Sequence, residues 1–163
     1  MGPLIDAGVD LICIETMIDL REAELAISAV RAVSRTIPIF ATMTFNATPR
    51  GFFTPMGETV ERAAAGLADA GADAIGSNCG NGIDRMVEIA REFTAHSALP
   101  VIIQSNAGLP EQHDGRLVFP ETPEFMASRV IQLLEAGVAV IGGCCGTGPE
   151  HIRAIRAAVD RRG

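Results

Sequence analysis

What this sequence lacks narrows its function first. No apolar stretch approaches the roughly 20 residues that span a bilayer, so no membrane-crossing helix is expected. The start, Met1-Gly2-Pro3-Leu4-Ile5-Asp6, shows no basic region followed by an apolar one, and no secretory leader is read there. Basic residues are dispersed and the net charge is −7, which removes the electrostatic footprint of a nucleic-acid binder. The glycine-rich segment from Gly142 to Gly148 lacks the lysine and the spacing of a phosphate loop, and it is no dinucleotide fingerprint. Cysteines number only four in 163 residues, 48% of them hydrophobic, so a core can form without disulfides. The expectation is one cytoplasmic domain with reduced thiols, and neither nucleic acid nor membrane as a partner.

Against these absences, Gly142-Gly143-Cys144-Cys145-Gly146 stands out. Side chains on a strand alternate faces, so adjacent cysteines address one object only where the strand ends and the backbone bends. A third cysteine, Cys79, lies in Gly76-Ser77-Asn78-Cys79-Gly80, also just past a strand-like run. Three thiolates and an open position describe a zinc site that activates a ligand. Cys13 differs, because it lies inside an apolar strand and reads as a buried, inert thiol. His96, His113 and His151 fall in helix-end, loop and first-turn contexts and read as solvent-facing or locally hydrogen-bonded.

One phrase recurs: Leu4-Ile5-Asp6-Ala7-Gly8-Val9-Asp10, Leu67-Ala68-Asp69-Ala70-Gly71-Ala72-Asp73 and Leu133-Leu134-Glu135-Ala136-Gly137-Val138-Ala139. Each closes a helical pattern with a glycine suited to a left-handed C-cap and leads into a strand. Strands are predicted at 11–15, 37–44, 74–78, 100–105 and 138–142, and helices at 20–34, 59–70, 83–97, 122–136 and 149–160. Thr147 and Glu150 have the spacing of a capping box for the last helix. Residues 50–54 read as a loop over the sheet's mouth and 111–120 as a second, mobile polar loop.

Strands alternating with helices specify an α/β fold with a parallel sheet. Cys79 ends the third strand and Cys144-Cys145 the fifth, so one strand separates backbones about 10 Å apart. Zinc-bound sulfurs lie within roughly 4 Å of each other. A concave wall closes that gap better than a flat one, which favours a (β/α)8 barrel, although such a barrel takes about 250 residues and eight strands.

Several motifs together resemble the homocysteine S-methyltransferase domain, in the form of the homocysteine module of cobalamin-dependent methionine synthase. They are Gly142-Gly143-Cys144-Cys145-Gly146-Thr147, Cys79 between Asn78 and Gly80, Asn106-Ala107-Gly108-Leu109-Pro110, Ile14-Glu15-Thr16 and Arg50-Gly51-Phe52-Phe53-Thr54. The resemblance covers essentially the whole chain. It implies a partial TIM-type barrel of about five βα units, strands four to eight of the family barrel, with residues 1–163 as the C-terminal portion. It further implies zinc held by Cys79, Cys144 and Cys145, and a methyl group transferred to the homocysteine thiol to give methionine. The Asn106 carboxamide oxygen would occupy the fourth zinc position until homocysteine displaces it. Glu15 would bind the substrate ammonium, and backbone amides near Gly143 and at the start of the last helix its carboxylate. The donor would be methylcobalamin on another domain or subunit, with S-methylmethionine and betaine as the family's other donors. Self-association, or completion by a segment carrying the absent strands, is expected. The alternative readings are a non-catalytic zinc-binding fragment that needs a partner chain, and an open five-stranded domain with unliganded cysteines.

Overall fold

The computed structural model describes residues 2–162. In chain order the elements are α1 (Gly2–Asp6), β1 (Ile12–Met17), α2 (Leu20–Val33), β2 (Ile39–Met43), β3 (Asn46–Thr48), β4 (Gly51–Phe53) and α3 (Val60–Asp69). They continue as β5 (Ala74–Asn78), α4 (Ile83–His96), β6 (Val101–Ser105), β7 (Glu111–His113), β8 (Arg116–Val118), α5 (Pro123–Glu135), β9 (Val138–Gly143) and α6 (Pro149–Asp160).

Strands β1, β2, β5, β6 and β9 form one parallel sheet in that order. Each lies beside the next parallel strand of the sequence, as in a singly wound barrel; a doubly wound sheet would reverse its order partway. Helices α2 to α6 each pack on the next and on the sheet, which gathers them on one face. There Ile39, Ala41, Met43, Ile75 and Ile103 are fully buried. Helix α4 meets them with Ile83, Met86, Ile89, Ala90 and Phe93, spaced to fall on one side of a helix. Phe93 packs edge-on against Phe45, with centroids 5.8 Å apart at 75°. Each large side chain buried in this way stabilises the fold by about 1.5–3 kcal/mol.

The recurring glycines behave as their pattern predicts. Gly8, Gly71 and Gly137 have φ of 82°, 99° and 85°. The left-handed conformation ends a helix and turns the chain into the next strand.

Four local expectations are corrected. Residues 50–54 and 111–120 are not plain loops, because β3 pairs with β4 and β7 with β8 as antiparallel hairpins. In the second, Asp114 and Gly115 have φ of 49° and 77°, the signs of a type I′ turn. Helix α6 is capped by Gly148, not Thr147. The Gly148 N–H donates to His151 Nδ1 at 3.1 Å, while the Thr147 hydroxyl turns back to the Cys144 carbonyl at 2.7 Å. Cys13 is exposed rather than buried. Alternation along β1 sends Ile12 and Ile14 to the helices and Cys13 to the opposite, concave face, where no wall stands across from it among the described residues.

Strands β1 and β9 flank the sheet, and neither has a strand on its outer side among the described residues. No described helix is long and apolar enough to cross a membrane.

Candidate metal centre

The strand ends assemble the site. Cys79 follows β5 directly with φ of 61°, a left-handed conformation uncommon for a residue bearing Cβ. Its N–H remains on the sheet ladder, donating to the Gln104 carbonyl at 3.1 Å, while the strand's alternation is broken. Two strands away, β9 ends at Gly143, which pairs with Ser105, and the Cys144 N–H donates to the Ser105 carbonyl at 2.7 Å. A Cβ on Gly143 would meet the Thr147 side-chain carbons at 2.8 Å, so only glycine lets the loop fold back there.

The three sulfurs of Cys79, Cys144 and Cys145 lie within 4.8 Å of one another, and those of Cys79 and Cys145 are 3.7 Å apart. Zinc-bound sulfurs have nearly this separation, about 4 Å, and an all-sulfur donor set suits a soft or borderline ion. The donor set and its spacing therefore fit zinc. Cys145 is exposed and the other two are half-buried, so the cluster is accessible from outside. The hydrogen bond to Cys79, followed by lost solvation and the neighbouring Cys144, pushes the Cys145 thiol up to about 11. A metal taken up near neutral pH must displace that proton.

Asn106 is buried beside the cluster, and its Oδ1 accepts the Cys145 N–H at 3.1 Å. Ala107 N–H donates to the Cys145 carbonyl at 2.9 Å, so the segment after β6 clasps the double-cysteine loop from both sides. His151 secures the loop's far end: Nδ1 accepts from Gly148, which leaves the proton on Nε2 to reach the Glu121 carbonyl at 3.1 Å. Glu15 lies on the concave face, where its Oε1 accepts from Gln104 Nε2 and from the Cys13 thiol, both at 3.2 Å. Lost solvation, then the bond to Glu15 and its charge, push the Cys13 thiol up to about 12. Gln104 Oε1 is buried without a partner.

Sequence reasoning missed Asn78, Thr16, Thr42 and Gln104. Asn78 is 1% exposed beneath the cluster, bonded to Thr16 and Thr42 and directed at Cys144. The available signal was a carboxamide closing an apolar strand directly before a candidate ligand.

A methionine synthase of Mycobacterium leprae is 34% identical over 163 residues; the match covers 97% of this chain and 13% of that protein. The chain thus spans a small part of the curated relative. The fold matches the crystal structure of the homocysteine methyltransferase MmuM from Escherichia coli. In its apo form the TM-score is 0.74 at 24% identity, covering 95% of this chain and 51% of that one. The metallated form gives 0.73 at 24%, covering 94% and 46%. Those neighbours show the partial-barrel architecture alone. Residues 1–159 match the sequence pattern of the homocysteine S-methyltransferases, and it is to that family that this chain belongs.

Proposed function

We propose that the chain is the C-terminal portion of a homocysteine S-methyltransferase barrel and carries its metal centre and part of its substrate pocket. The observation that carries this reading is the three-sulfur cluster at the ends of two strands, accessible from outside. A zinc ion bound there supplies a Lewis acid that favours the thiolate over the thiol of a substrate sulfur.

The chain's own residues do the rest. Cys79, Cys144 and Cys145 hold the metal and keep negative charge around it. Asn106, buried beside the cluster, is the proposed fourth ligand before substrate enters, although its Oδ1 now serves Cys145. The exposed Glu15 carboxylate presents an acceptor to the ammonium of homocysteine. The Cys144, Cys145, Thr147, Gly148 and His151 amides are already engaged and Pro149 has none, so the substrate carboxylate is assigned to the vicinity of Gly143 and of Glu150 in the first turn of α6. The nucleophilic sulfur then takes the methyl group and methionine leaves. Methylcobalamin on another domain or subunit is the proposed donor, on the strength of the methionine synthase likeness.

A second reading is favoured by the exposed Glu15 and the open edges of β1 and β9. In it this chain binds metal and requires a further segment to finish the pocket before turnover.

Adding homocysteine to the reduced, zinc-loaded protein should increase the sulfur neighbours of zinc by one in X-ray absorption and release a proton. An unchanged zinc environment, or equal binding of the analogue with methylene in place of sulfur, would defeat the proposal.

A further inference from the structure

Asn78 closes β5, and its carboxamide orientation follows from its neighbours. The Thr16 backbone N–H, 2.7 Å away, can only donate, so the group facing it must be the carbonyl oxygen. The same Oδ1 accepts from the Thr42 hydroxyl at 2.7 Å. Nδ2 is thereby turned the other way, one hydrogen to Thr16 Oγ1 at 2.8 Å and the other to Cys144 Sγ at 3.7 Å. Thr16 has φ of 60°, which brings its N–H and its hydroxyl to the same amide. The donor at Cys144 is therefore aimed by Thr16 on β1, which holds both ends of the carboxamide, and the sulfur does not set it. Among the described residues no other N–H donates to a sulfur of the cluster, since Cys79 and Cys145 face each other.

We infer that Asn78 is a positioning residue of the metal centre, holding Cys144 toward the other two sulfurs and drawing charge from that one thiolate through an N–H···S hydrogen bond. This rests on the three-cysteine metal site proposed above. Its consequence is that the three thiolates are unequal: Cys144 donates least to the metal, and Cys79 and Cys145 donate more. Partners behind the ligands of a metal commonly act in this way.

The test uses the reduced protein loaded with cadmium or cobalt(II), whose sulfur-to-metal charge-transfer band reports the charge on sulfur. Asn78→Asp keeps an acceptor for Thr16 and Thr42 but removes the N–H, and Asn78→Ala removes it without adding charge. Both should move the band to lower energy and weaken metal binding by about 10–100-fold in chelator competition. Thr42→Val removes a different partner of Asn78; it should lower the denaturation midpoint and leave the band in place. Unmoved bands and wild-type affinity in both Asn78 variants would overturn the inference. A band that moves as much in Thr42→Val would overturn it too, by reducing Asn78 to a structural role. Wild-type protein with no charge-transfer band would defeat the three-cysteine site itself. A normal band indifferent to homocysteine would defeat only the proposed reaction.

Discussion

Gln104 on β6 donates to Glu15 on β1 at 3.2 Å, although β2 and β5 lie between their strands. Side chains standing upright on a flat sheet would be about 14 Å apart over that distance. The pair meets because the sheet is concave and the intervening partners, Thr42 and Gly76, are small. The same curvature draws Cys79 toward Cys144 and Cys145.

This contact leads to a prediction about substrate. Glu15→Gln should keep its neighbour Gln104 and retain zinc, yet lose a charge-assisted contact to the homocysteine ammonium. Such contacts are worth about 1.5–3 kcal/mol, so homocysteine affinity should fall about 10–100-fold. Calorimetric titration of the zinc-loaded protein measures it, and undiminished affinity would remove Glu15 from the pocket.

Metal retention should sort the four cysteines into two groups. Cys79→Ser, Cys144→Ser and Cys145→Ser should each lose more affinity than the roughly 10–100-fold cost of an outer partner. Cys13→Ser should hold one zinc per chain, since its thiol faces Glu15 away from the cluster. Metal analysis after dialysis against a chelator is decisive, and equal retention in all four would contradict the assignment.

Alkaline pH should destabilise the metal-free protein. Folded Cys145 and Cys13 are raised to about 11 and about 12 from 9.0. Both thiols therefore hold their protons in the fold at a pH where the unfolded chain has released them. Their contribution is complete below about pH 9 and drains away as pH climbs through 11 and 12. Denaturation midpoints across this range should fall, and Cys13→Ser should flatten the upper part. A midpoint that rises with pH would contradict the shifts.

The open edges of β1 and β9 should make the isolated chain associate. Unpaired strand edges offer rows of N–H and carbonyl groups to any strand that can pair. Sedimentation should show concentration-dependent dimers or larger species, reduced by a separately made segment that supplies the missing barrel strands. A compact monomer at all concentrations would show that the edges are already protected.

The parallel strands and their helices were legible because each is a local pattern: an apolar run, a cap, a glycine at the turn. The cysteine cluster was legible for a related reason, since its members sit at strand ends and a parallel sheet collects such ends on one rim. Cys13 was not, because its burial depends on what faces the concave side and not on its own strand. Asn78 was hidden by distance, as its partners Thr16 and Thr42 are 62 and 36 residues away. The β7–β8 hairpin announces itself through Asp114-Gly115, a turn signal that the surrounding polar residues masked.

The sequential strand order also dictates a timetable. Each strand pairs with one made before it, so the sheet can grow in the order of synthesis, from β1 toward β9. Cys79 is in place after three strands, but the sulfurs it must meet arrive only when the fifth strand docks on β6. The cluster cannot exist on a half-finished chain. Its assembly therefore certifies that the fifth strand has found its place, and a metal added during refolding would report that docking.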